Sequence, residues 1–171
     1  MSGPQVVLVG APGAGKTSVG RAVARQLGVA FADTDLAIEA GAGKPVADIF
    51  VDEGEPAFRE MERQAVARAL AEESGVLSLG GGAVLDAGTR GALRGHRVVW
   101  LRVSLAEATK RVGLTGSRPL LLGNVRGTLM SLLDQRTPLY EEVATDSVDT
   151  DGTSVDDVAQ RVVSLLETVT P

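Results

Sequence analysis

The chain alternates short apolar runs with longer amphipathic stretches. Val6-Val7-Leu8-Val9 is a continuous apolar run, as expected of a strand buried on both faces. The predicted first strand is about Gln5 to Val9, and a helix follows from about Gly15 to Leu27. A short strand near Val29 to Ala32 ends in Asp33-Thr34-Asp35. Helical segments are expected from Asp35 to Ala40 and from Pro45 to Val51. A long helix opens at Glu55-Pro56, where proline's missing N–H costs nothing, and runs to about Glu73. Gly75 to Leu79 reads as a strand that stops at Gly80-Gly81-Gly82, with a shorter helix near Ala87 to Leu93. Arg97 to Leu101 is a further strand, and Ser104 caps a helix to about Val112. Gly113 to Asn124 is polar and glycine-rich, the expected mobile lid. A helix then runs to about Arg136, Val143 to Asp149 holds a last strand, and Val155 to Val169 is an amphipathic helix. Strand and helix in alternation predict an α/β fold with a mainly parallel sheet.

Composition narrows the class. A length of 171 residues suits one domain, 1–171, and 44% apolar residues can supply its core. Aromatic residues make up 3%, so Val, Leu, Ile and Ala must build that core. There is no Cys, hence no disulfide and no thiolate metal site. The net charge of −5 argues against general nucleic-acid binding. No apolar stretch approaches the roughly 20 residues that cross a bilayer, and the first apolar run lacks a basic flank. No membrane association and a cytoplasmic location are therefore expected.

The chemistry starts at Gly10 to Thr17, Gly-Ala-Pro-Gly-Ala-Gly-Lys-Thr, which fits G-x-x-x-x-G-K-[ST] at every fixed position. It lies between a strand and a helix, as its mechanism requires. Glycines let successive N–H groups face phosphate oxygens, and the helix N-terminus adds positive potential. Lys16 can reach the outer phosphates and the Thr17 hydroxyl can ligate magnesium. A nucleoside triphosphate is the expected ligand.

Five further features bear on the acceptor, each with a plainer alternative. Asp33 and Asp35 stand at a strand's carboxyl end, where open α/β sheets bind ligands; either could instead cap the next helix. Arg59 suits a carboxylate, or simply pairs with Glu55 and Glu62 along an exposed helix face. The three glycines allow close approach of a ligand or a φ > 0 turn, or form an ordinary turn. Arg118 could swing onto a transferring phosphate, or be a solvated loop charge. Arg136 precedes Thr137-Pro138-Leu139-Tyr140 and could instead be a helix C-terminal cation. His96, the single histidine, reads as solvated, and Trp100 as core.

Taken together, these residues resemble the shikimate kinases, within the nucleoside-monophosphate-kinase-like group of phosphate-loop proteins. The resemblance rests on Gly13 to Thr17, Asp33-Thr34-Asp35, Ile49-Phe50 with Glu53-Gly54-Glu55, Phe58-Arg59, Gly80-Gly81-Gly82, Arg118-Pro119-Leu120-Leu121, and Arg136 with Pro138-Leu139-Tyr140. It covers nearly the whole chain. It implies three layers, with five parallel strands in the order 2-3-1-4-5 flanked by helices. It implies ATP-dependent phosphorylation of the 3-hydroxyl of shikimate, a step of aromatic amino-acid biosynthesis, with Mg2+ and in a monomer. Carried over by position, Gly13, Ala14, Gly15, Lys16, Thr17 and Ser18 hold the nucleotide, with Thr17 and Asp33 on the metal. Asp35 binds shikimate hydroxyls and acts as the general base or stands in for it. Arg59 and Arg136 grip the carboxylate, with Gly80, Gly81 and Gly82 closing the pocket. Arg118 comes down with the lid, and Arg111 stacks on or near adenine. The acceptor-binding helices are expected within about 33–62. One departure is Asp151-Gly152-Thr153-Ser154, where some of the family carry an adenine-contacting Arg. Two alternatives remain: a kinase for gluconate or a nucleoside monophosphate, and a nucleotide-binding regulatory module without catalysis.

Overall fold

A computed structural model describes residues 3–115 and 124–167. Five strands, β1 (Val6–Val9), β2 (Phe31–Asp33), β3 (Val76–Ser78), β4 (Val98–Arg102) and β5 (Asp146–Asp149), form one sheet in the order β2-β3-β1-β4-β5. Every pairing is parallel, with Leu8 of β1 level with Ser78 of β3 and Val99 of β4. The order and direction are those expected. The eight helices are α1 (Lys16–Leu27), α2 (Thr34–Ala42), α3 (Val46–Glu53), α4 (Glu55–Glu72), α5 (Ala87–Ala92), α6 (Leu105–Thr115), α7 (Val125–Val143) and α8 (Val155–Glu167) among the described residues. A 3-10 turn, Ala83–Leu85, precedes α5.

Alternation of side chains along the strands makes the layers. Val6, Leu8, Val76, Val99 and Leu101 face α1 and α8 in one buried cluster. Val7, Val9, Leu77, Leu79, Val98 and Trp100 face the other way, toward α4 and α7, in a second. Both faces are covered, which is why the strands read as unbroken apolar runs. A smaller cluster of Ile38, Ile49 and Phe58 welds α2 and α3 to the start of α4, with the Phe50 and Phe58 rings 4.7 Å apart.

This arrangement fixes the site. β1 and β3 are neighbours, yet the chain leaves β1 for α1 on one face and β3 for the 3-10 turn on the other. Adjacent strands whose connections part to opposite faces leave a crevice at their carboxyl ends. The phosphate loop and the three glycines are its two walls.

Two boundaries differ from expectation. α6 continues to Thr115, so 113–115 belong to a helix rather than to the lid. The rest of the expected lid, including Arg118, lies outside the described residues. α7 does not end near Arg136 but runs on to Val143 with Pro138 inside it. Proline removes one helical hydrogen bond, with the carbonyl of the exposed Asp134. Burial of Tyr140 and packing of Leu139 and Val143 beneath the sheet hold the last turns together.

Candidate functional site

The phosphate side is built from β1 into α1. Gly13 and Gly15 adopt φ +85° and +90°, a backbone that side-chain-bearing residues rarely take. Gly15 opens α1, whose first turn carries no acidic residue, so its N-terminal potential is left for an anion. The Lys16 ammonium donates to the carbonyls of Gly10 at 2.6 Å and Ala11 at 3.2 Å, at the loop mouth. Ala14 is buried and donates its N–H to the Ala11 carbonyl at 3.1 Å, while Ser18 is exposed one turn further on.

Asp33 does two jobs at once. Its Oδ1 accepts from the N–H groups of Asp35 at 2.8 Å and Leu36 at 3.2 Å, capping α2. Its Oδ2 accepts from the Thr17 hydroxyl at 3.0 Å. The cap and the phosphate-side role are therefore not alternatives. A hydroxyl and a carboxylate oxygen side by side at the phosphate loop fit Mg2+, which prefers hard oxygen donors. Asp35 does not cap; it sits two residues on, half-buried, toward Gly80.

The three glycines organise the acceptor side, and none of them has positive φ. What Gly80 and Gly82 lack is room for a side chain. A Cβ on Gly80 would stand 2.6 Å from Asp35 Oδ1 and 2.9 Å from Glu62 Oε2. On Gly81 it would stand 3.3 Å from Pro12, 3.4 Å from the Gly10 carbonyl and 3.5 Å from Arg136 Nη1. On Gly82 it would strike the Arg59 guanidinium, with Nη2 at 2.7 Å and Cζ at 2.8 Å. Of the alternatives weighed, the φ > 0 turn is not used; the groups that approach these glycines closely are the protein's own side chains. Two bonds hold this segment in place. The Gly80 N–H donates to the Thr34 hydroxyl at 3.0 Å, and the Tyr140 hydroxyl donates to the Gly81 carbonyl at 2.7 Å.

The charges around the glycines are largely buried. Arg136 is 4% exposed, mid-helix, and so does not serve as the C-terminal cation of α7. Arg59 bonds Glu62 at 2.8 Å and Glu55 at 3.1 Å, beside the rings of Phe50 and Phe58. Both helical pairings weighed from spacing are real, but the face is exposed only on the Glu55 side and buried at Glu62. Glu62 is 4% exposed, and its role was not read from the sequence. Burial raises the Glu62 carboxyl above the usual glutamate value, against the pull of Arg59. Burial also pushes the Tyr140 phenol up to about 12, against Arg136, so Tyr140 remains a donor. A cavity of 220 Å³ lined by Glu55, Arg59, Glu62, Gly82, Asp86 and Thr89 opens here. It lies on the Arg59 side of the glycines, and Asp35, Gly80, Gly81 and Arg136 do not line it.

Arg111 lies on the phosphate side, bonded to the Gly13 carbonyl at 2.9 Å and to Glu107 at 3.1 Å. Trp100 is core, as expected.

Comparison with known proteins gives the family. A shikimate kinase family model matches residues 12–167. The chain belongs to the shikimate kinase family. A shikimate kinase of Salinispora tropica is 60% identical over 95% of this chain and 98% of its own length. A solved shikimate kinase from Acinetobacter baumannii, in complex with shikimate, superposes with a TM-score of 0.93 at 36% identity, over 98% of this chain and 94% of its own. A gluconokinase from Sinorhizobium meliloti, 22% identical with a TM-score of 0.60 over 95% of this chain and 90% of its own, shares the fold alone. Among the described residues, no helix of this shikimate kinase family member is long and apolar enough to cross a membrane.

Two outcomes follow from the geometry. Gly80→Ala and Gly82→Ala should each lower kcat/KM by more than about tenfold, because a 1 Å displacement of positioning groups already costs more. Backbone strain is not involved, so far-ultraviolet circular dichroism should stay native. Equal activity of Gly82→Ala and wild type would contradict the contact with Arg59. The second concerns Glu62. A raised folded-state value contributes stability that is full below the ordinary value of 4.5 and is lost as pH rises through the raised one. Urea unfolding at a series of pH values should therefore show Glu62→Gln gaining on wild type as pH rises through that window; a parallel pair of curves would contradict it.

Proposed function

We propose that this member of the shikimate kinase family transfers the γ-phosphoryl group of ATP to the 3-hydroxyl of shikimate, giving shikimate 3-phosphate and ADP. The convergence at Gly81 carries the reading. There the phosphate loop, through Pro12 and the Gly10 carbonyl, and the acceptor side, through Arg136, meet at a single residue. A donor phosphate and a small anionic acceptor would share that wall.

Phosphoryl transfer asks the protein for position and charge neutralisation. The triphosphate rests on the loop N–H groups and the start of α1, and Lys16 exchanges the Gly10 and Ala11 carbonyls for phosphate oxygens. Thr17 and Asp33 would hold Mg2+, which supplies charge neutralisation across the phosphates. Arg59 and Arg136 take the ring carboxylate by their planar forks. Glu55, with a side chain 50% exposed, is the partner of Arg59 that an incoming carboxylate replaces; buried Glu62 stays and keeps the guanidinium aimed. Asp35 accepts from the attacking hydroxyl. The hydroxyl oxygen bonds to the γ-phosphorus as the bond to the β–γ bridging oxygen breaks, and the hydroxyl proton leaves through Asp35. Arg118 is assigned to the γ-phosphate on the resemblance alone. The protein is read as a cytoplasmic monomer.

A coupled ADP-release assay with shikimate, gluconate and nucleoside monophosphates tests the reading. Release with shikimate is expected. Release with another acceptor only, or ATP binding without release, would overturn it. In calorimetry, Arg59→Ala and Arg136→Ala should each cost about 2–5 kcal/mol of shikimate binding and far less of ATP binding. Equal losses for both ligands would remove these residues from the carboxylate site. Arg118→Ala should lower kcat by more than about tenfold without lowering Tm; an unchanged kcat would exclude Arg118 from the reaction.

A further inference from the structure

Arg111, on α6, makes four polar contacts, three of which reach past its own helix. Nη1 donates to the Gly13 carbonyl at 2.9 Å and to the Thr150 hydroxyl oxygen at 3.3 Å. Nη2 donates to the Thr150 carbonyl at 3.2 Å, and Nε donates to Glu107 Oε1 at 3.1 Å. Thr150 is itself 2% exposed. Its hydroxyl donates to the Arg102 carbonyl at 2.7 Å, and its N–H donates to the same carbonyl at 2.9 Å. Arg102 is the last residue of β4. The directions are consistent: the threonine hydroxyl gives its proton to β4 and accepts from Arg111. A continuous polar chain thus runs from the sheet through Thr150 and Arg111 to the phosphate loop.

The packing follows the same line. A Cβ on Gly13 would meet the Ala108 carbonyl and Val112 Cγ2, each at 3.2 Å, so α6 is seated directly on the loop. Asp151 Oδ1 accepts from the Ser104 N–H at 3.0 Å, which ties the turn bearing Thr150 to the start of α6.

The peptide between Gly13 and Ala14 is held at both ends, its carbonyl by Arg111 and its N–H by the Ala11 carbonyl. In a planar trans peptide the two groups point to opposite sides. Fixing the carbonyl against α6 therefore holds the N–H on the Ala11 carbonyl, and with it the turn of the loop. We infer that Arg111 is a positioning residue for phosphate binding, holding the loop in the shape that presents its N–H groups, with Thr150 as the anchor through which it acts. The inference rests on the loop being the ATP site. It is separate from any contact of Arg111 with the nucleotide base, since Thr150 acts only through the chain of bonds.

Titration calorimetry of the full chain with magnesium tripolyphosphate, ATP, adenosine and shikimate separates these roles. Arg111→Ala should weaken tripolyphosphate and ATP alike by about tenfold, the worth of one hydrogen bond to a charged group. Thr150→Val keeps the shape and removes the hydroxyl; it should weaken both by about threefold, with adenosine and shikimate unchanged. Two results would overturn the inference: folded Thr150→Val binding tripolyphosphate as wild type does, or Arg111→Ala weakening ATP but not tripolyphosphate. Wild-type protein that binds neither tripolyphosphate nor ATP would instead overturn the ATP-site reading itself.

Discussion

The site depends on space left empty at the end of β3. Three consecutive residues without side chains let four charged groups from three helices reach one point of backbone. Asp35 and Glu62 close on Gly80, Arg136 on Gly81 and Arg59 on Gly82. A Cβ at Gly80 or Gly82 would stand within 3 Å of a carboxylate oxygen or a guanidinium and displace it, and one at Gly81 would press on Pro12. The backbone conformation there is ordinary, so the constraint is one of volume rather than of dihedral angle.

Gathering these charges away from water costs free energy, and the structure offsets it by pairing. Removing one partner of a buried pair is far more damaging than the pair is stabilising. Arg59 and Glu62 are such a pair, and two phenylalanine rings wall the guanidinium. The raised value of Glu62 marks the residual cost. Function gains from the arrangement. A guanidinium already held by a buried carboxylate loses little freedom when it takes a ligand's carboxylate. The phosphate side shows the same economy, since one carboxylate, Asp33, caps α2 and meets Thr17.

The residues themselves disclosed much of this. Unbroken apolar runs between amphipathic stretches foretold a parallel sheet covered on both faces, and the phosphate-loop pattern located one wall of the crevice. Three things were hidden for physical reasons. Helical spacing places Glu62 three residues from Arg59 but does not say which face is buried; packing of α4 against the sheet decides that. Proline at 138 signals a helix end, yet core burial around Tyr140 carries α7 through it and leaves Arg136 mid-helix. The alliance of Arg111 with Thr150 joins residues 39 apart in sequence, a tertiary contact that no local pattern records.

The most direct measurement is a crystal structure of the full chain with shikimate and a non-hydrolysable ATP analogue. The account predicts the ring carboxylate between Arg59 and Arg136, a ring hydroxyl on Asp35 facing the γ-phosphate, and Gly81 against both ligands. A carboxylate bound elsewhere, or a ring turned so that no hydroxyl lies between Asp35 and the γ-phosphate, would contradict it.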